Sequence, residues 1–213
     1  MEDLPEDCAL SLKRVEAVVC GVSAGGLKVL KSLLGAIPTD FAAAMVIVQH
    51  RLPREDDLLI GHLSGFCKLP VKEAEDKEVI KGGIVYIAPA NYHLMIEADR
   101  TFSLSTDEKV NYSRPSIDVL FDTAAEAYGA CLLGVILTGA NCDGAAGLYR
   151  IKTFGGITVV QDPESAEYVA MPRAALAAAQ ADLVLDIDSI GRLLSELGGA
   201  GGVRSAGQGS GKP

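Results

Sequence analysis

Short apolar runs rich in β-branched residues punctuate the chain, and most are followed by a turn and then by helical spacing. Val15 to Cys20 is the first run; it stops at Gly21, and Leu27, Leu30, Leu33 and Leu34 then recur at helical intervals. Met45 to Gln49 is apolar on both faces, as in a strand covered from both sides. Asp56 to Cys67 reads as a helix and Leu69 to Glu73 as a short strand. Ile84 to Ile87, Leu132 to Leu137, Ile157 to Val160 and Leu183 to Leu185 read as further strands. Pro115 near a start and Gly129 past an end bracket a helix whose Ile117, Leu120, Phe121, Ala124 and Tyr128 share one face. Another helix follows Gly144 and closes near Phe154, Pro172 opens an alanine-rich one, and Ile190, Leu193, Leu194 and Leu197 form a last stripe. His93 to Ile96 and Thr101 to Leu104 flank Ala98-Asp99-Arg100 with hairpin spacing.

Strand–helix alternation from Val15 to Leu197 predicts an α/β domain over residues 15–197. Its expected form is a single doubly wound, mostly parallel sheet with helices on both faces and a small antiparallel hairpin. Residues 1–14 read as a polar, acidic lead-in, and 198–213, where seven of sixteen residues are glycine, as a flexible tail. In such a sheet, ligands sit beyond the carboxyl ends of the strands.

The bulk properties narrow the function. A chain of 213 residues, 49% hydrophobic and 22% charged, has the composition of one globular domain with a full core. A net charge of −9 lacks the basic face that a nucleic acid requires. No apolar run approaches the ~20 residues of a membrane span, and the acidic start has no secretory signature. The five cysteines are odd in number and never spaced Cys-x-x-Cys, which argues against a disulfide framework or structural zinc and fits a reducing cytoplasm.

Three residue types of acyl-transfer chemistry fall at strand ends: Ser23 after the first strand, His50 after the second, and Asp143 in the loop after the Leu132 to Leu137 strand. Gly21-x-Ser23-x-Gly25 also fits the nucleophile-elbow pattern. Each has a plainer reading. Ser23 and Asp143 suit helix N-caps, and a lone histidine is more often a hydrogen-bonded strand-end residue. His93 is a rival base, and Cys142 is either a thiol nucleophile or a packing residue. Backbone N–H groups of Ala24, Gly25 and the Gly139-Ala140-Asn141 loop are candidate oxyanion donors. A different class of reading has Gly21, Gly25 and Gly26 cradle a dinucleotide phosphate. The spacing is not Gly-x-Gly-x-x-Gly, and His50 stands where a ribose-binding acid belongs. A third class is a catalytically inactive interaction domain of the same fold.

Several blocks, in order, resemble the catalytic domain of the bacterial chemotaxis receptor methylesterases of the CheB type, from about Val15 to Leu194. Gly21 to Gly26 is similar to the family's serine turn, Val46 to His50 to its histidine strand, and Val85 to Leu94 to its central strand and turn. Arg114 to Phe121 resembles its helix opening, Gly134 to Gly139 with Asp143 to Gly147 its aspartate loop, and Ala170 to Ala175 a later turn. The resemblance implies Ser23 as nucleophile, His50 rather than His93 as base, and Asp143 as orienting acid. It implies hydrolysis of γ-glutamyl methyl esters on cytoplasmic receptor helices and deamidation of certain receptor glutamines, with no cofactor and no metal. Two departures stand out. Family members of the response-regulator kind carry a receiver domain ahead of the catalytic one; with so few residues before the first strand, that control is expected to be absent and a separate regulatory protein has a place. The family's loop often reads Thr-Gly-Met-Gly, where the Met supplies a backbone N–H near the oxyanion; here it reads Thr138-Gly139-Ala140-Asn141. Arg114 and Arg51, with Arg54, are candidates for attracting an acidic receptor helix.

Overall fold

The structure, a computed structural model, describes residues 12–51 and 56–197. The described elements run β1 (Ala17–Val22), α1 (Gly26–Ala36), β2 (Ala44–Gln49), α2 (Asp56–Ser64), β3 (Val71–Glu73), β4 (Val85–Ile87), β5 (His93–Ile96), β6 (Phe102–Ser105), α3 (Ile117–Tyr128), β7 (Leu132–Ile136), α4 (Ala145–Thr153), β8 (Ile157–Gln161), α5 (Ala170–Ala179), β9 (Leu183–Leu185) and α6 (Ile187–Glu196). Seven strands form one sheet in the order β3-β4-β2-β1-β7-β8-β9, every pair parallel. β5 and β6 pair antiparallel as a separate hairpin, as the spacing predicts. The acidic lead-in through residue 11, with Cys8, as well as Arg54 and the glycine-rich tail over 198–213, lie outside the described residues. Leu12, in the last part of that lead-in, is buried in the core.

The period of two along the central strands builds a core on each face of the sheet. Val18, Cys20 and Val22 of β1 point to one side with Met45 and Ile47 of β2, where Leu30, Leu33 and Leu34 of α1 and Ile190, Leu193 and Leu194 of α6 cover them. Ala17 and Val19 point to the other side with Val46 and Val48, under Ile117 and Phe121 of α3, Leu148 of α4 and Met171 of α5. The hairpin packs on this second face through Leu94, Ile96 and Phe102. No helix among the described residues is long and apolar enough to cross a membrane.

Several boundaries differ from the sequence pattern. β1 begins at Ala17 because the Val15 N–H closes a turn on the Leu12 carbonyl at 3.2 Å. It also runs through Gly21, where the pattern alone puts a stop. A Cβ on Gly21 would lie 2.4 Å from Cγ2 of Ile117. The glycine therefore stays in the strand and makes room for the first residue of α3. α2 ends at Ser64, and the N–H groups of Phe66 and Cys67 fold back onto the Leu63 carbonyl. α5 starts at Ala170, so Pro172 lies within its first turn, where no donor is lost to the helix.

After β1 the chain builds leftward through β2, and it returns to the other side of β1 with β7. The sheet thus reverses its winding at β1, and a crevice opens beyond the carboxyl ends there. Gly21→Ala is expected to cost about 1–3 kcal/mol through overpacking against Ile117. The control Gly61→Ala, where a Cβ meets nothing within 4 Å, is expected to leave stability unchanged or raise it slightly. Urea unfolding of the two variants checks this.

Candidate active site

The parallel register sets the site. Val22 pairs with Gln49, and the His50 N–H donates to the Val22 carbonyl at 3.1 Å, so Ser23 and His50 leave the sheet side by side. On the other flank the Leu137 N–H donates to the Gly21 carbonyl and the Ser23 N–H to the Thr138 carbonyl, each at 3.0 Å. The serine turn is therefore held between β2 and the loop after β7. Gly25 takes a left-handed φ of 76° as N-cap of α1, a conformation that glycine adopts without strain.

Side chains tighten this frame. The Gln49 Nε2 donates to the carbonyls of Ser23 and of His50, both at 3.0 Å, joining the two strand ends. Thr138 Oγ1 donates to the Ala24 carbonyl at 3.0 Å and accepts the Tyr168 N–H at 2.9 Å. The buried Gln161 accepts the Thr138 N–H at 2.9 Å. Neither Gln49 nor Gln161 carries a motif, and spacing gives no sign of them. Only the strand register reveals what they join.

Asp143 is 1% exposed and accepts five hydrogen bonds. His50 Nε2 lies 2.8 Å from its Oδ2, and the Ile117 N–H reaches the same oxygen at 2.7 Å. Oδ1 receives Ser116 Oγ at 2.8 Å, Asn111 Nδ2 at 3.1 Å and the Asp118 N–H at 3.2 Å. The donors of Ile117 and Asp118 are free first-turn N–H groups of α3, the end of a helix that favours an anion. Burial works to raise the Asp143 pKa. The bonds from His50, Ile117, Asn111 and Ser116 outweigh it and hold the carboxyl below its ordinary value of 3.8. The nearby Asp118 goes the other way. Burial raises its pKa and the Asp143 charge adds to that, against the bond from the Gly147 N–H.

An ionised carboxylate only accepts, so His50 Nε2 carries a hydrogen and Nδ1 of the unprotonated ring offers its lone pair. Asn141 Nδ2 lies 3.3 Å from that Nδ1. The Ser23 hydroxyl makes no hydrogen bond among the described residues; the structure brings His50 and Asp143 into contact and leaves Ser23 beside them. The N–H groups of Ala24, Gly25 and Ala140 likewise have no internal acceptor among the described residues.

His93 is buried and engaged at both nitrogens. Nδ1 takes the Ser116 N–H at 3.3 Å and Nε2 meets the Glu108 carbonyl at 3.0 Å. Cys142 is exposed. Arg114 spends its guanidinium on the Asp107 carbonyl at 2.8 Å, the Thr106 carbonyl and Asn91 Oδ1 at 2.9 Å, binding two loops together. Arg51 is largely buried and reaches Glu73 and the Ala88 carbonyl, both at 3.3 Å. The groups that face an open space near Ser23 are others: a cleft of about 670 Å³ there is lined by Gly25, Gly26, Lys28, Lys31, Gln49 and Glu167.

The sequence model of the CheB methylesterase family matches residues 18–194. The chain belongs to the CheB methylesterase family. It is 54% identical over 182 residues to a protein of Leptospira interrogans named putative protein-glutamate methylesterase/protein-glutamine glutaminase, covering 85% of this chain and 94% of that one. It is 38% identical over 183 residues to the protein-glutamate methylesterase/protein-glutamine glutaminase of Thermotoga maritima, covering 84% of this chain and 53% of the other. The chain thus spans about half the length of that relative. The crystal structure of the Thermotoga maritima CheB methylesterase catalytic domain superposes with a TM-score of 0.83 at 38% identity, covering 86% of this chain and 98% of that one. The architecture above is accordingly that of a CheB catalytic domain.

The Asp143 contacts give a stability signature in this CheB-type domain. Its folded pKa lies below the unfolded one, so its contribution is complete above about pH 4 and is lost as pH falls through the folded value. Asp143→Asn is expected to cost about 1–3 kcal/mol near pH 7, by leaving buried donors without their acceptor. In urea titrations the gap to wild type is expected to narrow below about pH 4. A gap constant with pH contradicts this assignment.

Proposed function

We propose that the protein is a serine esterase that removes methyl groups from glutamyl methyl esters of chemotaxis receptors and also deamidates receptor glutamines. Ser23 is the nucleophile, His50 the base and Asp143 the group that orients it. The observation that carries this reading is the 2.8 Å pairing of His50 Nε2 with the buried Asp143, at the strand end next to Ser23. Membership of the CheB family and the names of its relatives supply the substrate class.

The cycle follows from the ring's orientation. Asp143 holds the Nε2 hydrogen, so Nδ1 takes the Ser23 proton while Oγ bonds to the ester carbonyl carbon and the π electron pair moves onto oxygen. The free N–H groups of Ala24, Gly25 and Ala140 suit that oxyanion. The C–OCH3 bond then breaks, and methanol leaves with the proton from Nδ1. Water, deprotonated by Nδ1, releases the glutamate. An amide substrate gives ammonia in place of methanol.

Lys28 is exposed and Lys31 half-buried, both at the mouth of the cleft beside Ser23. They suit the carboxylates of an acidic receptor helix better than Arg114 and Arg51, which are tied into the fold.

Ser23→Ala is expected to reduce methanol release from methylated receptor membranes by roughly 10⁴–10⁶-fold with an unchanged unfolding curve. Unchanged release removes Ser23 from the chemistry. Replacing both Lys28 and Lys31 with Glu is expected to raise KM for receptor membranes roughly tenfold while kcat holds, with the effect shrinking at high salt. A loss confined to kcat contradicts a docking role for these lysines.

A further inference from the structure

We infer that the side-chain amide of Asn141 is a further catalytic residue, a donor that moves from the base to the oxyanion during the acylation step. The inference rests on the Ser23 esterase reading and deepens it.

The orientation of the amide follows from its surroundings. The Asp143 N–H donates to Asn141 Oδ1 at 3.2 Å, closing a turn of the Asx kind. Oδ1 therefore faces Asp143, and the amide nitrogen faces His50, where Nδ2 lies 3.3 Å from Nδ1. Because Nε2 is held by Asp143, Nδ1 is the nitrogen that receives a proton. Asn141 thus donates to the reacting lone pair itself. A neutral N–H to N contact of this length is weak and readily exchanged.

The chemical step then reverses what this amide meets. Nδ1 has a single lone pair, so the Ser23 hydroxyl first takes the place of the amide on it; Oγ then gives its proton to Nδ1 and bonds to the ester carbon, and the carbonyl π pair becomes an oxyanion. Nδ1 now carries a hydrogen and turns from acceptor to donor. Two donors face each other, so the contact between Nδ2 and Nδ1 becomes repulsive. The new acceptor is the oxyanion. It is two bonds from Oγ, and Oγ had to be within hydrogen-bond reach of Nδ1 to transfer its proton. An amide anchored through Oδ1 swings a short distance from one to the other. It is displaced as Ser23 engages the base and cannot return once Nδ1 is protonated, so its bond to the oxyanion strengthens in the transition state and is absent from the ground state. In this chain Asn141 adds a side-chain donor to the backbone N–H of Ala140.

The test separates the donor from the turn. In Asn141→Ser, the hydroxyl still accepts the Asp143 N–H but is too short to reach Nδ1; Asn141→Ala loses both contacts. With methylated receptor membranes, both variants are expected to lose kcat on the order of 10²–10³-fold with KM unchanged, the range that one such donor is worth. The low-field imidazole N–H resonance of the His50–Asp143 pair is expected to persist in both. A wild-type kcat in Asn141→Ser, a loss confined to KM, or a kcat loss accompanied by loss of that resonance overturns the assignment. Wild-type protein without Ser23-dependent methanol release overturns the esterase reading together with it. Ser23-dependent release with an unaffected Asn141→Ser overturns this inference alone.

Discussion

A buried carboxylate is costly unless its lone pairs are filled, and Asp143 fills them from three different parts of the chain. The first turn of α3 gives two N–H groups and the Ser116 hydroxyl, the loop before α3 gives Asn111, and the end of β2 gives His50. That single charge fixes where α3 begins, how the 111–116 segment lies, and which nitrogen of His50 is free. Asp118 extends the arrangement. It accepts the Gly147 N–H at 2.7 Å and so caps α4, and Asn111 Nδ2 reaches it at 2.7 Å as well as Asp143. The helix that satisfies the acid is itself seated by Gly21, because the space that a side chain would fill there belongs to Ile117. The strand glycine just before the serine turn and the donors on the acid are thus parts of one packing solution.

The fold was largely legible because its signals are local. Apolar runs of strand length, helical stripes and the hairpin spacing each depend on neighbours within a few residues. Strand ends follow from them, and so do Ser23, His50 and Asp143 as the chemically distinctive residues lying there. What binds the site together is not local. Gln49 reaches back 26 residues to the Ser23 carbonyl, Asn111 reaches forward 32 to Asp143, and Gln161 is 23 from the Thr138 N–H that it accepts. Amide side chains of this kind form no motif, since any one of them serves wherever the register brings an unpaired backbone group. The arginines show a related limit. A guanidinium looks like a surface cation in sequence, yet Arg114 offers its planar fork to backbone carbonyls across a loop.

His93 shows the same limit from the other side. By residue type it matched His50, although it opens β5 where His50 follows β2. The difference lies in what surrounds each ring. His93 has a backbone donor on one nitrogen and a carbonyl at the other, which leaves no lone pair to take a proton. His50 has a carboxylate on one nitrogen and only an exchangeable amide on the other. A base needs one nitrogen held firmly and the other held loosely, and that asymmetry exists only in three dimensions.

The two halves of the site differ in how much they can change. Ser23 and His50 are consecutive to paired strand residues, so displacing either means displacing β1 or β2 within a sheet whose central positions are fully buried. The 140–142 loop has no such constraint. Ala140 and Cys142 are exposed, and the Asn141 side chain is held by the Asp143 N–H and a longer contact to His50 Nδ1. The positions of Ser23 and His50 are therefore fixed by the fold, while the 140–142 loop can vary without disturbing them. In the proposed reading, the donors around the oxyanion can therefore change while Ser23, His50 and Asp143 stay in place.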